Sequence, residues 1–229
     1  MRIDVLTLFP AIIETVMQES IPKIAQEKGI AEIYCHNIRD WARNKHRKVD
    51  DRPFGGGPGM VMACQPLCDS IEAVRNMTDN AGRLLFLTPE GRTFTQSIAR
   101  EFAEEQRLIF VCGRYEGFDE RVFDILQPER LSVGDFILSG GEIAAMTVMD
   151  AVIRLLPGVL GCGESAACES FAGNTLDWPQ YTQPWEYRGL YVPEVLRGGN
   201  HAEINRWRKE AAERRMRIWR PDLVIDKKK

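Results

Sequence analysis

Several features are scarce in this sequence, and each absence excludes a kind of site or partner. Its 229 residues include only three histidines, and its six cysteines form no Cys-x-x-Cys pair, so a structural zinc site is not expected. No uninterrupted apolar run is long enough to span a membrane. The chain also lacks an excess of positive charge, because 30 Lys and Arg stand against 33 Asp and Glu. Any contact with nucleic acid must therefore be local.

The cysteines and the first residues indicate the compartment. Cys35 and Cys112 lie inside two apparent buried strands, and the other four are scattered, which is typical of reduced thiols in a cytoplasmic protein. The chain leads directly into a strand pattern with an early acid, Asp4, which is not the pattern of a secretory signal. We therefore expect a cytoplasmic protein with no membrane segment.

Short apolar strands alternate with amphipathic helices along the first two thirds of the chain. The opening β-α-β pattern predicts a parallel sheet, and the continued alternation predicts an α/β fold. The predicted strands are residues 2–8, 31–37, 84–88 and 108–112, and the stretch 131–138 carries a fifth strand and a turn. The predicted helices after the first β-α-β unit are residues 65–76, 95–105, 119–126 and 141–155.

Two glycine-rich turns follow two of these predicted strands. In the run 132–142, Gly134 lies between two strand-like stretches, and Gly140 and Gly141 precede a helical pattern. The second turn covers residues 113–117. Because glycine lets a backbone turn sharply or a ligand approach closely, the two turns predict a shared ligand site at the carboxyl edge of a parallel sheet. Two tight connections without a ligand are the alternative.

A long loop over residues 40–59 interrupts the alternation. It joins a basic cluster to the glycine-rich run 54–59, whose spacing is neither that of a Walker loop nor that of a dinucleotide fingerprint. A basic loop beside flexible glycines suits a phosphate-bearing ligand, and a solvated loop is the alternative. The basic residues are Arg43, Lys45, His46, Arg47, Lys48 and Arg52.

The composition changes after Pro157. Glycines and small residues fill 157–175, which indicates a linker or an active-site segment. Asn200 and Glu203 then resemble a capping box at the start of a helix. Between Arg197 and Arg220 there are eight basic and three acidic residues, interleaved with tryptophan, which predicts an RNA contact. A solvated basic face is the alternative.

Seven motifs follow one another in a characteristic order and spacing. They are residues 8–10 (Leu-Phe-Pro), 52–60 (Arg-Pro-Phe-Gly-Gly-Gly-Pro-Gly-Met), 112–117 (Cys-Gly-Arg-Tyr-Glu-Gly), 133–142 (Val-Gly-Asp-Phe-Ile-Leu-Ser-Gly-Gly-Glu), 154–161, 176–184 and 198–201. Together they resemble the bacterial tRNA (guanine-37-N1)-methyltransferase family, TrmD, over essentially the full length.

This resemblance implies a SPOUT-class fold, in which an α/β domain with a parallel sheet carries a deep trefoil knot and a small C-terminal helical domain follows. The implied boundaries are 1–160 for the knotted cofactor-binding domain, 161–175 for a flexible linker and 176–229 for a helical tRNA-binding domain. Chain-connection rules alone would have argued against a knot. The family also implies an obligate homodimer with active sites between the protomers.

The implied activity is methylation of N1 of guanine 37 in tRNA, next to the anticodon, with S-adenosylmethionine as the methyl donor; this modification maintains the reading frame. The resemblance also admits Mg²⁺ as a second cofactor, although the sequence shows no metal-ligand cluster. One alternative is another SPOUT RNA methyltransferase, such as one that acts on a ribose 2′-oxygen. Another is a non-catalytic RNA-binding module.

By the same resemblance, the loops 87–89, 113–117 and 133–141 hold the cofactor. Glycine-bearing backbone suits adenine and ribose, and the Glu116 carboxylate would attract the sulfonium cation and help to hold a divalent ion. The individually predicted cofactor-binding residues are Leu87, Gly113, Tyr115, Glu116, Val133, Gly134, Asp135, Phe136, Ile137, Leu138, Gly140 and Gly141.

The resemblance assigns Glu169 and Arg154 to catalysis. Guanine N1 carries a proton, so a base must remove it, and the charge that develops on O6 needs a cation. Arg154 matches the family's arginine for O6, with a salt bridge at a helix end as the alternative. The family's base is an aspartate, and this chain has Glu169 there, with a similar pKa and one more methylene. The predicted substrate-binding residues are Asp50, Gly59, Asp177 and His201.

Overall fold

The computed structural model describes residues 1–161, 169–171 and 175–225 of the chain. The chain divides into two compact units, Met1–Gly161 and Cys162–Lys229. Most of the predicted linker 161–175 lies outside the described residues, so its order stays a prediction.

Strands and helices alternate through the first unit. In chain order they are β1 (Arg2–Thr7), α1 (Pro10–Met17), α2 (Ser20–Glu27), β2 (Glu32–Asn37), β3 (Asp50–Asp51), β4 (Val61–Met62), α3 (Cys64–Arg75), β5 (Arg83–Thr93), α4 (Gln96–Ala103), β6 (Arg107–Cys112), α5 (Arg121–Leu126), β7 (Glu129–Ser132) and α6 (Gly141–Ile153).

A five-stranded sheet with the order β2-β1-β6-β5-β7 forms the centre of this unit. Every pairing in it is parallel, which confirms the predicted α/β fold with a parallel sheet. The predicted knot and the C-terminal helical domain are not decided by this strand order and stay predictions.

Both faces of the sheet are covered by helices. Successive side chains of a strand point to opposite faces, so each strand contributes to two apolar clusters. In β6, Leu108 and Phe110 belong to the apolar cluster that includes residues of α1, α2, α4 and α6. Ile109 and Val111 belong to the cluster on the other face, with residues of α3 and α5. The sheet is thus a middle layer whose strand ends are its accessible edges.

A buried ionic network holds the amino-terminal half of the sheet. The fully buried Asp4 carboxylate accepts hydrogen bonds from Arg107 at 2.8 Å and from Arg2 at 2.8 and 2.9 Å, and His36 Nε2 lies 2.8 Å from it. Burial raises the pKa of Asp4, but the hydrogen bonds from His36, Arg2 and Arg107 outweigh burial and hold that pKa well below its ordinary value. Arg107 also donates to the Val74 carbonyl at 2.6 Å, which satisfies the last turn of α3.

Two strands differ from their predicted bounds. β7 begins at Glu129, two residues before the predicted strand-and-turn stretch 131–138, and ends at Ser132. Gly134 (φ +146°) lies in the turn that follows. β5 continues past its predicted end to Thr93. Its register against β7 shifts between Leu87 and Arg92, which leaves residues 88–91 outside the regular ladder at the sheet edge.

The cysteine expectation is confirmed in part. Cys35, Cys64, Cys68 and Cys112 are free thiols, and the other two cysteines lie outside the described residues. Cys112 is buried, but Cys35 is only half-buried, because its strand β2 is at the edge of the sheet.

The second unit contains β8 (Glu186–Tyr187), β9 (Leu190–Tyr191), α7 (His201–Trp219) and α8 (Asp222–Ile225). α7 begins where the capping pattern predicted. The Asn200 side chain accepts hydrogen bonds from the backbone amides of Ala202 (3.2 Å) and Glu203 (3.4 Å). Among the helices in the described parts of both units, none combines the length and the apolar character needed to cross a membrane.

Candidate active site

A cavity of about 540 Å³ opens where the parallel strands end, in the size range of pockets for small ligands and cofactors. Three chain segments line it, namely 87–90 in β5, 113–118 after β6 and 132–141 after β7 and into α6. Because the carboxyl ends of parallel strands meet at one edge, turns that are far apart in sequence share this space.

Eleven of the twelve individually predicted cofactor residues line the cavity. The structure therefore brings them together, while their roles stay predictions. The eleven are Leu87, Gly113, Tyr115, Glu116, Val133, Gly134, Phe136, Ile137, Leu138, Gly140 and Gly141.

The twelfth residue, Asp135, is not part of the cavity lining. The amide of Phe136 donates to the carbonyl of Gly134 at 3.0 Å, which makes a three-residue turn with Asp135 at its tip. Asp135 is consequently exposed to solvent, and the structure gives no support to its predicted place at the cofactor.

Glycine is required where two of the lining turns touch. The Gly141 amide donates to the Gly113 carbonyl at 2.8 Å, and a Cβ on Gly141 would lie only 2.8 Å from the Cys112 Cα. A Cβ on Gly140 would lie 2.3 Å from Nε of Arg114. Any side chain here would push the turns apart and change the cavity wall.

A buried charged pair supports these turns, and sequence reasoning gave it no role. Glu142 is 1% exposed, accepts a hydrogen bond from Thr7 Oγ1 at 2.6 Å and pairs with Arg114 at 2.9 Å. Arg114 also donates to the Ser139 carbonyl at 3.0 Å, and its guanidinium lies 4.5 Å from the centre of the Phe9 ring. The sequence offers one signal for this pair: each of the two charged residues directly follows a glycine, in two separate motifs.

Other lining residues also lay outside the predicted loops. Phe118 and Phe123 form an aromatic wall, with ring centres 5.9 Å apart and each within about 5 Å of the Phe86 ring. Only the fold brings these side chains to the cavity, and no local pattern marks them. The residues outside the predicted loops are Glu90, Phe118, Glu120, Phe123, Ser132 and Ala144.

The chain directly after the glycine-rich loop is hydrogen-bonded to the turn 113–117, which lines the cavity. The Glu116 amide donates to the Met60 carbonyl at 2.9 Å, and the Met62 amide donates to the Gly117 carbonyl at 2.9 Å. A Cβ on Gly59 would lie 2.3 Å from Oε1 of Glu116, and Asp50 pairs with Met62 in the β3–β4 ladder. The structure thus brings one predicted substrate residue, Gly59, to the predicted cofactor carboxylate, while Asp50 lies in the short β3–β4 ladder.

Arg154 lies at the other end of α6 from the cavity. Gly141 opens this helix at the cavity, and Arg154 is the half-buried residue that follows Ile153. Thirteen residues of α-helix span about 20 Å, which is far more than an arginine side chain reaches. The structure therefore does not bring Arg154 to the cavity of its own chain.

The second unit holds the remaining predicted residues. Glu169 precedes Ser170, whose hydroxyl accepts a hydrogen bond from the Asp177 amide at 3.0 Å. The Asp177 carboxylate accepts hydrogen bonds from the Trp178 amide at 2.7 Å and the Gln180 side chain at 3.1 Å. Glu169 and Asp177 thus belong to one local structure, while His201 is exposed at the start of α7.

A metal site finds no support in these contacts. Within residues 1–161, 169–171 and 175–225, no three or more His, Cys, Asp or Glu side chains are grouped as metal ligands. The magnesium expectation therefore stays a prediction.

Comparisons with known proteins identify the family that this chain resembles. The profile of the family described as tRNA (Guanine-1)-methyltransferase TrmD matches residues 1–226. A tRNA (guanine-N(1)-)-methyltransferase of Geobacter sulfurreducens is 53% identical over 224 residues, which cover 98% of this chain and 91% of the relative. A protein of the same name from Rhodopirellula baltica is 51% identical over 232 residues, which cover 100% of this chain and 96% of the relative.

Proposed function

The chain belongs to the tRNA (guanine-1)-methyltransferase family, TrmD, and from this premise we propose that it methylates N1 of guanine 37, next to the anticodon of tRNA, to maintain the reading frame. The observation that carries this proposal is the family match over residues 1–226. The chain is a methyltransferase for tRNA guanine N1, and relatives at about half identity carry that name. The proposal adds position 37 and a cytoplasmic site of action.

S-adenosylmethionine is the methyl donor that this family implies, and the cavity at the sheet edge fits it. The lining offers close-packed glycine backbone at Gly113 and Gly141, apolar walls from Ile137 and Leu138, and carboxylates for a cation, of which Glu116 lies in a predicted cofactor loop. When bound, the cofactor supplies an electrophilic methyl group on a sulfonium. Turns 113–117 and 133–141 would hold and orient it.

The two catalytic assignments come from the family resemblance, and they suit the chemistry of guanine. Glu169 removes the proton from N1, which leaves a nucleophilic nitrogen, and Arg154 stabilises the negative charge that develops on O6. Glutamate can act as this base because its carboxylate has a pKa close to that of aspartate. Its extra methylene must be accommodated by the backbone of its segment.

A homodimer is part of this proposal because one chain does not complete the site. Since Arg154 lies about 20 Å along α6 from Gly141, a second protomer is the source of the arginine at each cavity. Apolar side chains that a partner would cover are exposed on α1 and α6, which pack together. They are Ile12, Val16 and Ile143.

The finer architecture is also proposed from the family. We assign a deep trefoil knot to residues 1–160, a linker to 161–175 and a tRNA-binding helical domain to 176–229. The tight packing of Gly140 and Gly141 against residues 112–114 supports two interlocked turns. The basic residues of α7 and of the 43–52 loop supply cations for tRNA phosphates.

The alternatives have less support. A ribose 2′-oxygen methyltransferase of the same class would share the cofactor cavity, but the names of the relatives do not favour it. A non-catalytic RNA-binding module is disfavoured by the same names.

The decisive assay offers S-adenosylmethionine and two full-length tRNAs that differ only in having guanine or adenine at position 37. We expect 1-methylguanosine, identified by mass after nuclease digestion, from the guanine tRNA only. A 2′-O-methylated nucleoside, or no product despite binding of both ligands, would refute the proposed function.

The composite site has its own test. Gly141→Val damages the cavity and Arg154→Ala removes the cation, so each homodimer should be inactive. Co-expressed, the two variants should regain roughly a quarter of wild-type activity, since half of the dimers are mixed and each has one complete site. Continued inactivity, with mixed dimers isolated by differential tags, would mean that Arg154 acts on the cavity of its own chain.

A further inference from the structure

Phe54 is the most exposed large apolar side chain among the described residues. Its ring is 100% exposed, and the next in the first unit, Ile137, lines the cofactor cavity. We propose that Phe54 stacks on a nucleobase adjacent to the guanine that is methylated. This inference rests on the proposed function, because it names a contact between the same site and its RNA.

The backbone around Phe54 holds the ring at the tip of an anchored loop. β3 and β4 pair at the base of the loop, in the registers Asp50 to Met62 and Asp51 to Val61. At the tip, the Gly56 amide donates to the Pro53 carbonyl at 3.2 Å, which forms a turn around Phe54. The glycines at 55, 56, 57 and 59 all have positive φ, between 79° and 121°, a conformation that other residues rarely adopt.

The anchor of this loop is the rim of the cofactor cavity. Met60 accepts the amide hydrogen of Glu116, and Gly59 packs against the Glu116 side chain. Phe54 is five residues from Gly59, so its fully exposed ring lies within about 18 Å of this anchor. A ring at this place meets the substrate that delivers a base to the cavity.

The charge around the loop identifies that substrate as a polyanion. Lys45, Lys48 and Arg52 are exposed, and no carboxylate of the described residues pairs with any of them. Cations that follow a phosphate backbone beside an aromatic ring that stacks on bases are the usual pattern of single-stranded nucleic-acid sites. An apolar protein partner would leave these charges uncompensated, so an RNA base is the better occupant.

The chemistry of the reaction explains why an aromatic ring is useful there. The target guanine must leave the stack of its loop to reach the methyl group, and its neighbour then loses a stacking partner. The Phe54 ring replaces that lost contact with the neighbour. Phe54 is thus a substrate-contact residue that favours the splayed form of the RNA.

A substitution series tests the aromatic requirement. We expect Phe54→Ala and Phe54→Leu to lower kcat/KM for tRNA by about 5- to 150-fold, the range for losing one base–aromatic stack. Phe54→Tyr and Phe54→Trp should stay within about threefold of wild type. Affinity for S-adenosylmethionine should not change in any of them. Met77→Ala is the matched control, because Met77 is exposed but follows the far end of α3.

A spectroscopic measurement separates stacking from loop structure. Full-length tRNAs carry 2-aminopurine on the 5′ or the 3′ side of guanine 37. At one of these positions we expect binding of wild-type protein to change the probe fluorescence, Phe54→Ala to lose that change, and Phe54→Trp and Met77→Ala to keep it. If Phe54→Ala gives the wild-type signal at both positions, the proposal is wrong.

Two further outcomes would also overturn it. Full activity of Phe54→Leu would mean that only apolar burial matters. A Phe54→Ala protein that sediments as a monomer while the wild type is a dimer would place the ring in a protomer contact. If the wild-type protein forms no 1-methylguanosine, the proposed function fails; if it does and Phe54→Ala has wild-type kcat/KM, only this inference fails.

Discussion

The two ends of the parallel sheet use the same chemistry for different purposes. Each end buries a carboxylate against an arginine, Asp4 with Arg107 at the amino half and Glu142 with Arg114 at the carboxyl edge. Arg107 is fully engaged, since it also donates to the carbonyls of Val74, Arg75 and Asn80. At the carboxyl edge, Glu142 Oε2 pairs with Arg114 Nη2 at 2.9 Å, but Arg114 Nε is buried without a hydrogen-bond partner among the described residues.

This difference separates a structural network from a functional one. A fully hydrogen-bonded buried pair joins β1, β6 and the end of α3, and neither Asp4 nor Arg107 lines the cavity at the carboxyl edge. The Glu142 pair leaves Arg114 Nε without a hydrogen bond among the described residues, and it lies beneath the turns of a cavity of about 540 Å³. We conclude that the amino half stabilises the fold, while the carboxyl-edge pair sets the shape of the cavity that we propose as the cofactor site.

The largest effect should come from Arg107→Met. It removes the most buried cation that pairs with the Asp4 carboxylate, and breaking a buried pair in this way costs about 3–5 kcal/mol. Urea unfolding measures this loss. Folded Arg107→Met at low temperature should bind S-adenosylmethionine normally. A Lys23→Met control, which breaks an exposed pair with Glu27, should unfold like the wild type.

Glu142→Gln should have the opposite profile. We expect affinity for S-adenosylmethionine to fall about 10- to 100-fold, because a hydrogen bond to a charged group contributes about 1.5–3 kcal/mol and here positions Arg114. Isothermal titration calorimetry measures this affinity, and Glu142→Asp should recover part of it. An unchanged dissociation constant together with a large loss of stability would remove the contrast between the two ends.

Acid should act through the amino half. Because the pKa of Asp4 is lowered in the folded protein, Asp4 stabilises the fold above its unfolded pKa near 4, and this contribution is lost as the pH falls toward the folded pKa. Between pH 5 and pH 3 the loss from this group should be about 1 kcal/mol. Unfolding free energies of Asp4→Asn should lack this component; an identical pH slope would contradict the assignment.

The smallest effect should come from Asp135→Ala. Its side chain is exposed at the tip of the turn and outside the cavity lining, so the affinity for S-adenosylmethionine should change less than about twofold. Gly134→Ala, one residue earlier, is the matched comparison, because its φ of +146° is strained for alanine and a Cβ would meet the Phe136 ring. A large loss of affinity in Asp135→Ala would mean that Asp135 belongs to the cofactor site.

Much of this arrangement was accessible from the sequence. The β-α-β alternation predicted the parallel sheet, and glycine turns after two strands predicted a ligand site at its carboxyl edge, because local patterns carry that information. The family motifs supplied residues that periodicity alone does not mark.

The remainder depends on distant contacts. The end of β7 is fixed by the backbone of Gly134, and Phe118 and Phe123 reach the cavity only after the sheet has formed. Arg107 looks like an ordinary strand residue until the end of α3 packs on it. The position of Arg154 at the far end of α6 becomes informative only when the cavity is located.

Hydrogen–deuterium exchange with and without S-adenosylhomocysteine locates the bound cofactor on the full chain, and so shows whether the carboxyl edge of the sheet binds it. We expect slowed exchange in 113–117 and 133–141 and unchanged exchange in 74–80 and at the start of β6. Protection at the amino half, with none in the two glycine turns, would contradict the assignment of the carboxyl edge as the cofactor site.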